Sequence, residues 1–468
     1  MKTQCKVFLP VTLLLMYLAV GMSWGQEARK TYSRKEQSVF IERVSKLLKE
    51  NYVFLDIAQK MEEALTSQLL AGEFDKATNL ESFAGAVTQT LQLVSRDRHL
   101  QVITIRRPAT VPGGGMSPLR MEYENSRLWK ESNFGFTRVE KLRGSNIGVL
   151  AMIGFSQLQL GKKTADAAME MLATSDAIII DLRDNGGGYP DMVWYLCGYL
   201  FDKPVHLSSL YFRNSNQTTE YYPASKVDGK KIADLPLFIL TSSKTFSGAE
   251  EFAYCLQAQK RAVVIGETTG GGAHLTKTYS VNDDISIAIP YGRSINPITK
   301  SNWEGVGVKP DIEIEAGRAF DVAVNKANEV AQSRRKARLE AARTFLGDVE
   351  KNLEAIEKLF KEGKENDGAR LTCSLLDQGM TKDALNEAII NQIGYQVLGR
   401  DCYLLAIEIF KYNIKTFPNS ANVFDSLGEA YSKAGRRELA IENYKMALKL
   451  NPDSESAKEA LKSLQQKR

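Results

Sequence analysis

The chain has 468 residues, a net charge of +5 and an apolar fraction of 43%. That length accommodates two or three domains with sizeable cores. The positive charge is spread without a basic block, which argues against nucleic-acid binding as the main role.

The first residues read as a targeting segment. Lys2 and Lys6 precede a mostly apolar run from Val7 to Met22, and Ser23-Trp24-Gly25 places small residues for cleavage before Gln26. Residues 1–25 are therefore expected to be a signal peptide, and the mature protein to be exported, periplasmic or secreted. No later run has the ~18 apolar residues of a membrane helix, so no stable span is expected after cleavage. Cys197, Cys255, Cys373 and Cys402 remain. Export permits disulfides, but the apolar surroundings of Cys197 and Cys255 suit buried free thiols equally well. No spacing resembles a metal site, and no cofactor is expected.

Residues 26–100 are expected to form a small helical domain. Val39, Ile41, Val44, Leu47 and Leu48 recur at helical spacing, as do Ala84, Val87, Leu91 and Val94. A polar corner, Ser95-Arg-Asp-Arg-His99, then enters a β-branched strand. Residues 107–118, with Gly113-Gly-Gly115 and three prolines, read as an irregular loop.

The core is expected over 101–316. Strand-like runs at Ile147–Ile153, Ala177–Leu182, Leu237–Leu240 and Ala262–Ile265 alternate with helical ones, which predicts an α/β sheet with partly parallel strands. Ligands in such sheets gather beyond the strand C-termini. Gly186-Gly-Gly188 and Ser247 both fall there.

Ser247 stands where an apolar strand meets a helix start. A hydroxyl there lies close to backbone N–H groups, as a nucleophile requires. Ser247 with Glu250 three residues on is equally a helix capping box. A serine nucleophile needs a base, and the chain holds only His99, His206 and His274. His206 reads as strand filler; the residues alone leave His99 and His274 open. Lys244 is expected in solvent, Asp181 at a strand end, Asp184 and Asn185 in the glycine turn, and Asp283-Asp284 in a hairpin turn.

Residues 317–386 form a charged helical linker in this reading, and 387–468 a repeat. Phe424, Leu427, Gly428, Tyr431, Ala440, Tyr444, Ala447 and Pro452 fit the pattern of a tetratricopeptide repeat. A weaker copy, Ile390 to Pro418, lies 34 residues earlier, and residues 454–465 would cap the array. Such repeats bind a protein partner.

Four motifs occur in order: Asp181-Leu-Arg-Asp-Asn-Gly-Gly-Gly188, Thr245-Phe-Ser-Gly-Ala-Glu-Glu251, Gly266-Glu-Thr-Thr-Gly270 and Glu304-Gly-Val-Gly-Val-Lys-Pro-Asp311. Together they resemble the tail-specific (C-terminal processing) serine peptidase superfamily over roughly residues 30–316. Gly271 stands where the tail-specific proteases carry a catalytic lysine, and the forty or so residues between Val102 and Ile147 are too few for their PDZ domain. The chain is more similar to the interphotoreceptor retinoid-binding protein branch, through Glu50-Asn-Tyr-Val-Phe-Leu55 and Asp97-Arg-His99-Leu100. The resemblance implies a crotonase-like ββα-type peptidase core. It implies Ser247 as nucleophile, His99 as base and Glu304 as the carboxylate acting directly or through another side chain. Gly248 with Gly187 or Gly188 would form the oxyanion hole, and His274 is the alternative base or a pocket residue. The expected function is an exported, metal-independent serine endopeptidase acting on proteins or peptides. The competing expectations are a non-catalytic apolar-ligand or peptide-binding protein on the same fold, and a repeat scaffold with the core as its anchor.

Overall fold

The computed structural model describes residues 31–105 and 118–466. The expected leader and the Gly113–Gly115 loop lie outside the described residues. The chain divides into two compact units, residues 1–332 and 333–468.

Helices α1 (Arg34–Asn51), α2 (Leu55–Leu70) and α3 (Leu80–Ser95) open the first unit. Side chains cap two of them: Ser33 and Glu36 form a capping box on α1, and Asn79 and Ser82 one on α3. The α1 stripe is shifted from the expected one. Phe40, Ile41, Val44 and Leu48 are buried, whereas Val39 is exposed. Phe40 takes the inward place because an aromatic buries more surface against Phe83, whose ring packs edge-on at 5.1 Å.

Then follow β1 (Gln101–Thr104), α4 (Pro118–Glu131), β2 (Phe136–Lys141), β3 (Ile147–Met152), α5 (Leu158–Leu172), β4 (Ala177–Asp181), α6 (Pro190–Leu200), β5 (Ser208–Phe212), β6 (Gln217–Tyr221), β7 (Leu237–Thr241), α7 (Gly248–Ala258), β8 (Val263–Gly266), β9 (His274–Ser280), β10 (Ile285–Ile295) and β11 (Ile312–Glu313). The strands make two sheets. One runs β11-β8-β7-β4-β3-β2, parallel except for β2. The other is antiparallel, in order β1-β10-β5-β6 with β9 also on β10. Asp283 and Asp284 lie in the β9–β10 turn, as expected, and Asn282 Oδ1 accepts the Asp284 and Ile285 N–H groups there.

Parallel strands buried on both faces need layers on each side. Met169, Leu172, Val193 and Phe252 from α5, α6 and α7 cover one face. On the other, Ala319, Ala323, Ala327 and Ala331 of α8 (Ala316–Lys361) recur every fourth residue and let the helix lie close to the strands. The α1–α3 helices cover the second sheet, burying Ile285, Ile287 and Ile289 of β10. His99 stands just before β1, at the corner that follows α3.

The second unit is helical: the C-terminal part of α8, then α9 (Glu365–Thr381), α10 (Glu387–Leu398), α11 (Tyr403–Thr416), α12 (Ala421–Lys433), α13 (Arg437–Leu450) and α14 (Glu455–Gln466). Gly394 of α10 faces the Phe410 ring of α11, and Gly428 of α12 faces the Tyr444 ring of α13. The two contacts are 34 residues apart in both partners. Among the described residues Cys197, Cys255 and Cys402 are buried free thiols and Cys373 an exposed one.

Candidate active site

Three loops at the C-terminal ends of β4, β7 and β8 converge on Ser247. The residue is half-buried and is forced into an uncommon backbone conformation, φ 54° and ψ −119°. Its N–H donates to Glu250 Oε2 at 2.8 Å. That bond is one arm of the expected Ser247–Glu250 capping box, but Glu250 does more than cap. Fully buried, it also accepts the Gly271 N–H at 2.7 Å, the Gly272 N–H at 2.8 Å and the Thr269 hydroxyl. Burial pushes its carboxyl above the usual range, against the pull of these donors.

The first glycine loop is tied to the same corner. Phe246 N–H donates to Asn185 O at 3.0 Å. Asn185, wholly buried, fixes the turn as expected by accepting the Gly187 N–H on Oδ1 at 2.9 Å. That N–H is thus committed within the loop. Gly188 has φ 140° and lies against Phe155, where a Cβ would stand 2.1 Å from the carbonyl oxygen. Only glycine fits, and the close approach brings the Gly188 backbone beside Gly248: a Cβ on Gly248 would be 3.2 Å from Gly188 N. Asp184 holds no part of the turn among the bonds seen; it pairs with Lys244 at 2.9 Å, both largely in solvent. Asp181 ends β4 and binds Arg183.

A small cavity of about 50 Å³ opens at Ser247. Gly188, Gly248, His274, Trp194, Leu210 and Trp303 are among its walls. It is predominantly apolar, with the hydroxyl and imidazole at its edge.

The two candidate histidines differ. The His99 ring packs on Phe246, the residue before Ser247, with centroids 4.5 Å apart. Its Nδ1 is sealed without a hydrogen-bond partner, while 11% of the side chain stays exposed. The nearest carboxylate oxygen, Asp97 Oδ1, is 4.0 Å from Nδ1. Burial holds this imidazole at about 4, with the nearby Asp97 charge pulling the other way. His274 is more deeply buried, and its Nδ1 lies 2.6 Å from Asp97 Oδ2 and 3.4 Å from Glu304 Oε2. Burial alone would depress it, but the two carboxylates outweigh burial and its affinity for a proton is raised. His206 stacks on Tyr222 and bonds Ser208 and Ser209 at the start of β5.

Glu304 accepts the Ala273 N–H at 2.6 Å on Oε2, while its Oε1 is buried and unpartnered. Burial first, and then the neighbouring Asp97 charge, push it up to about 7. The contact expected between Glu304 and His99 is thus not a direct one among the bonds seen. Glu304 meets His274, His274 meets Asp97, and Asp97 faces His99. Sequence reasoning gave Asp97 no role of its own. Its signal is the Asp-x-His turn, where Asp97 Oδ1 accepts the His99 backbone N–H at 3.0 Å. The donor atoms of Asp97, His274 and Glu304 lie within 4.8 Å of one another, a spacing a cation could span. The 2.6 Å contact is a charge-assisted hydrogen bond, shorter than the roughly 3.3 Å between two ligands at tetrahedral distance on one ion.

Residues 146–314 match the family model of peptidase family S41, and residues 31–123 match that of the N-terminal domain of peptidase S41 in eukaryotic IRBP. The chain belongs to peptidase family S41. Its similarity to the interphotoreceptor retinoid-binding protein branch rests on that second match. The S41 relatives include carboxyl-terminal-processing peptidase 2 of Arabidopsis thaliana, 25% identical over 52% of this chain and 41% of the relative. Another is the carboxyl-terminal-processing protease of Synechocystis, 26% identical over 37% of this chain and 39% of the relative. The chain thus spans about two fifths of the length of these curated relatives. Among solved structures, the photosystem II D1 C-terminal processing protease superposes with a TM-score of 0.37 and 16% identity, over 61% of this chain and 94% of its own.

Proposed function

We propose that this S41 chain is an exported serine endopeptidase. Ser247 Oγ attacks a peptide carbonyl, forming an acyl-enzyme and releasing the amine; water then hydrolyses the ester. His99 takes the Ser247 proton and returns it to the leaving nitrogen. Burial keeps this imidazole neutral near pH 7, ready to accept a proton. Asp97, facing its Nδ1, meets the charge that then develops, with Glu304 contributing through His274. The oxyanion is held by the N–H groups of Gly248 and Gly188; Gly187 drops out of the expected set because Asn185 takes its N–H. The small apolar cavity receives a small apolar side chain of the substrate.

The observation that carries this reading is the half-buried Ser247 at a strained strand–helix corner beside the Gly188 and Gly248 backbone. At the Ser247 site the apolar-ligand alternative is weaker on volume. The cavity holds about 50 Å³, well below the roughly 300–1,000 Å³ of sites that bury drug-sized ligands.

Export follows from the leader read at residues 1–25; among the described residues no helix is long and apolar enough to cross a membrane. Helices α10–α14 are proposed as two tetratricopeptide repeats and a cap, supported by the matching Gly394–Phe410 and Gly428–Tyr444 contacts, and as the site of a protein partner. The test is digestion of an unfolded protein such as reduced casein in the presence of a chelator. Wild type should cleave it and Ser247→Ala should not, with both giving the same circular dichroism. Equal cleavage by the two would end the proposal.

A further inference from the structure

The peptidase reading gives roles to Ser247, His99, Asp97 and Glu304, and passes through a second buried imidazole without saying what that imidazole does. His274 lies on β9, across 177 residues of chain from Asp97. Asp97 comes from the corner between α3 and β1, and Glu304 from the loop after β10. Two carboxylates this close, both largely withdrawn from water, repel each other and resist being charged together. A single N–H between them removes that conflict only if the imidazole also carries the compensating charge.

The groups facing His274 mostly favour such a bridge. Asp97 Oδ2 and Glu304 Oε2 flank Nδ1 at 2.6 and 3.4 Å. The Tyr52 hydroxyl adds a donor to the same Asp97 oxygen at 3.3 Å. Arg293 on β10 opposes a proton on His274 electrostatically, and the Phe54 ring packs edge-on against the imidazole at 5.7 Å. His99 sits beyond Asp97, and Glu250 adds negative charge near Glu304. The orphaned atoms, His99 Nδ1 and Glu304 Oε1, lie at the two ends of this chain of contacts.

We propose that His274 is a positioning residue: its imidazole fastens Asp97 and Glu304 together and so keeps Asp97 aimed at His99 during peptide cleavage. His274 does not itself take the Ser247 proton. This rests on the peptidase reading above. Without His274, the carboxyl pair would hold a proton more tightly than in the intact protein, and His99 would lose the charge that stabilises its imidazolium.

The pH dependence of kcat/KM on a cleaved peptide tests it, with fluorophosphonate labelling of Ser247 as the control. His274→Gln should leave KM within about twofold and lower kcat near pH 7 by about tenfold for each unit that the acid limb moves upward. Activity should recover towards wild type at alkaline pH. Tyr52→Phe, which removes the other donor to Asp97 while sparing the imidazole, should move the limb the same way by less and serves if His274→Gln does not fold. A His274→Gln limb at the wild-type position, or an unmoved Tyr52→Phe limb where the first variant is unfolded, would overturn the positioning role. Loss at every pH equal to that of His99→Gln would overturn it too, making His274 the base. Failure of wild type to label at Ser247 would instead strike the peptidase reading itself.

Discussion

Glu250 lies three residues after Ser247, yet its carboxylate joins the Ser247 corner to a loop more than twenty residues away. It accepts the Ser247 N–H and the Gly271 and Gly272 N–H groups at 2.7–2.8 Å, and the Thr269 hydroxyl as well. The residue that ends one strand's loop and the residues that follow another are thus fixed to a single buried group. Gly272 in turn packs against His99, so Glu250 sets the relation of Ser247 and His99, the proposed nucleophile and base.

Glu250→Ala would leave those donors buried and unpaired, at about 1–3 kcal/mol each. A loss of at least about 3 kcal/mol is expected from urea unfolding, together with loss of cleavage. Glu250→Gln should lose less stability, because one oxygen remains, but its amide would face N–H donors.

The Ser247 backbone, at φ 54° and ψ −119°, is in a region that suits glycine. Such strain costs on the order of 1–3 kcal/mol, partly offset in a glycine variant by its greater freedom when unfolded. Ser247→Gly should therefore be at least as stable as wild type, and more stable than Ser247→Ala, while both are inactive. Thermal melting of the three proteins checks the order.

Gly272 has no room for a side chain. A Cβ there would stand 2.5 Å from His99 Cε1 and 2.4 Å from Phe246 Cζ. Gly272→Ala should cost about 1–3 kcal/mol in overpacking and should displace the His99 ring. Cleavage is expected to fall far more than fluorophosphonate-independent measures of folding, such as the melting temperature. Unchanged kcat in this variant would show that His99 is not held against this wall when it acts.

Much of this was readable in advance. The alternation of strands and helices from Ile147 onward has a local period, and the Ser247 corner is a contiguous stretch, so both could be seen in the chain itself. The His99 turn was visible for the same reason. The pairing of His274 with Asp97 was not, because 177 residues separate them and nothing local to either encodes the contact. Glu304 was expected in the site from its motif, but its neighbour depends on how β9 and β10 fold back, which no spacing reveals. The commitment of Gly187 N–H to Asn185 is a matter of one side-chain rotamer within a motif of three glycines. On α1, Val39 and Phe40 both satisfy a loose helical period, and the contact of Phe40 with Phe83, which lies on α3, chose between them.

The site should also mark the pH dependence of folding. His99 falls from 6.5 in an unfolded chain to about 4 in the folded one. The unfolded state binds the proton first, so this contribution is fully present above pH 6.5 and is lost as pH falls towards 4. At 1.36 kcal/mol per unit its ceiling is about 3 kcal/mol. Glu304, raised from 4.5 to about 7, has the opposite sign: its contribution is present below 4.5 and is lost as pH rises through 7. Urea midpoints across this range should flatten on the acid side in His99→Gln and on the neutral side in Glu304→Gln.

The most direct measurement is reaction of the purified chain with a fluorophosphonate, followed by proteolytic digestion and mass spectrometry. The phosphonyl group should appear on the peptide containing Ser247, should be absent from Ser247→Ala, and should form more slowly in His99→Gln. A chain that leaves Ser247 unmodified, under conditions in which a known serine hydrolase is fully labelled, would contradict the account.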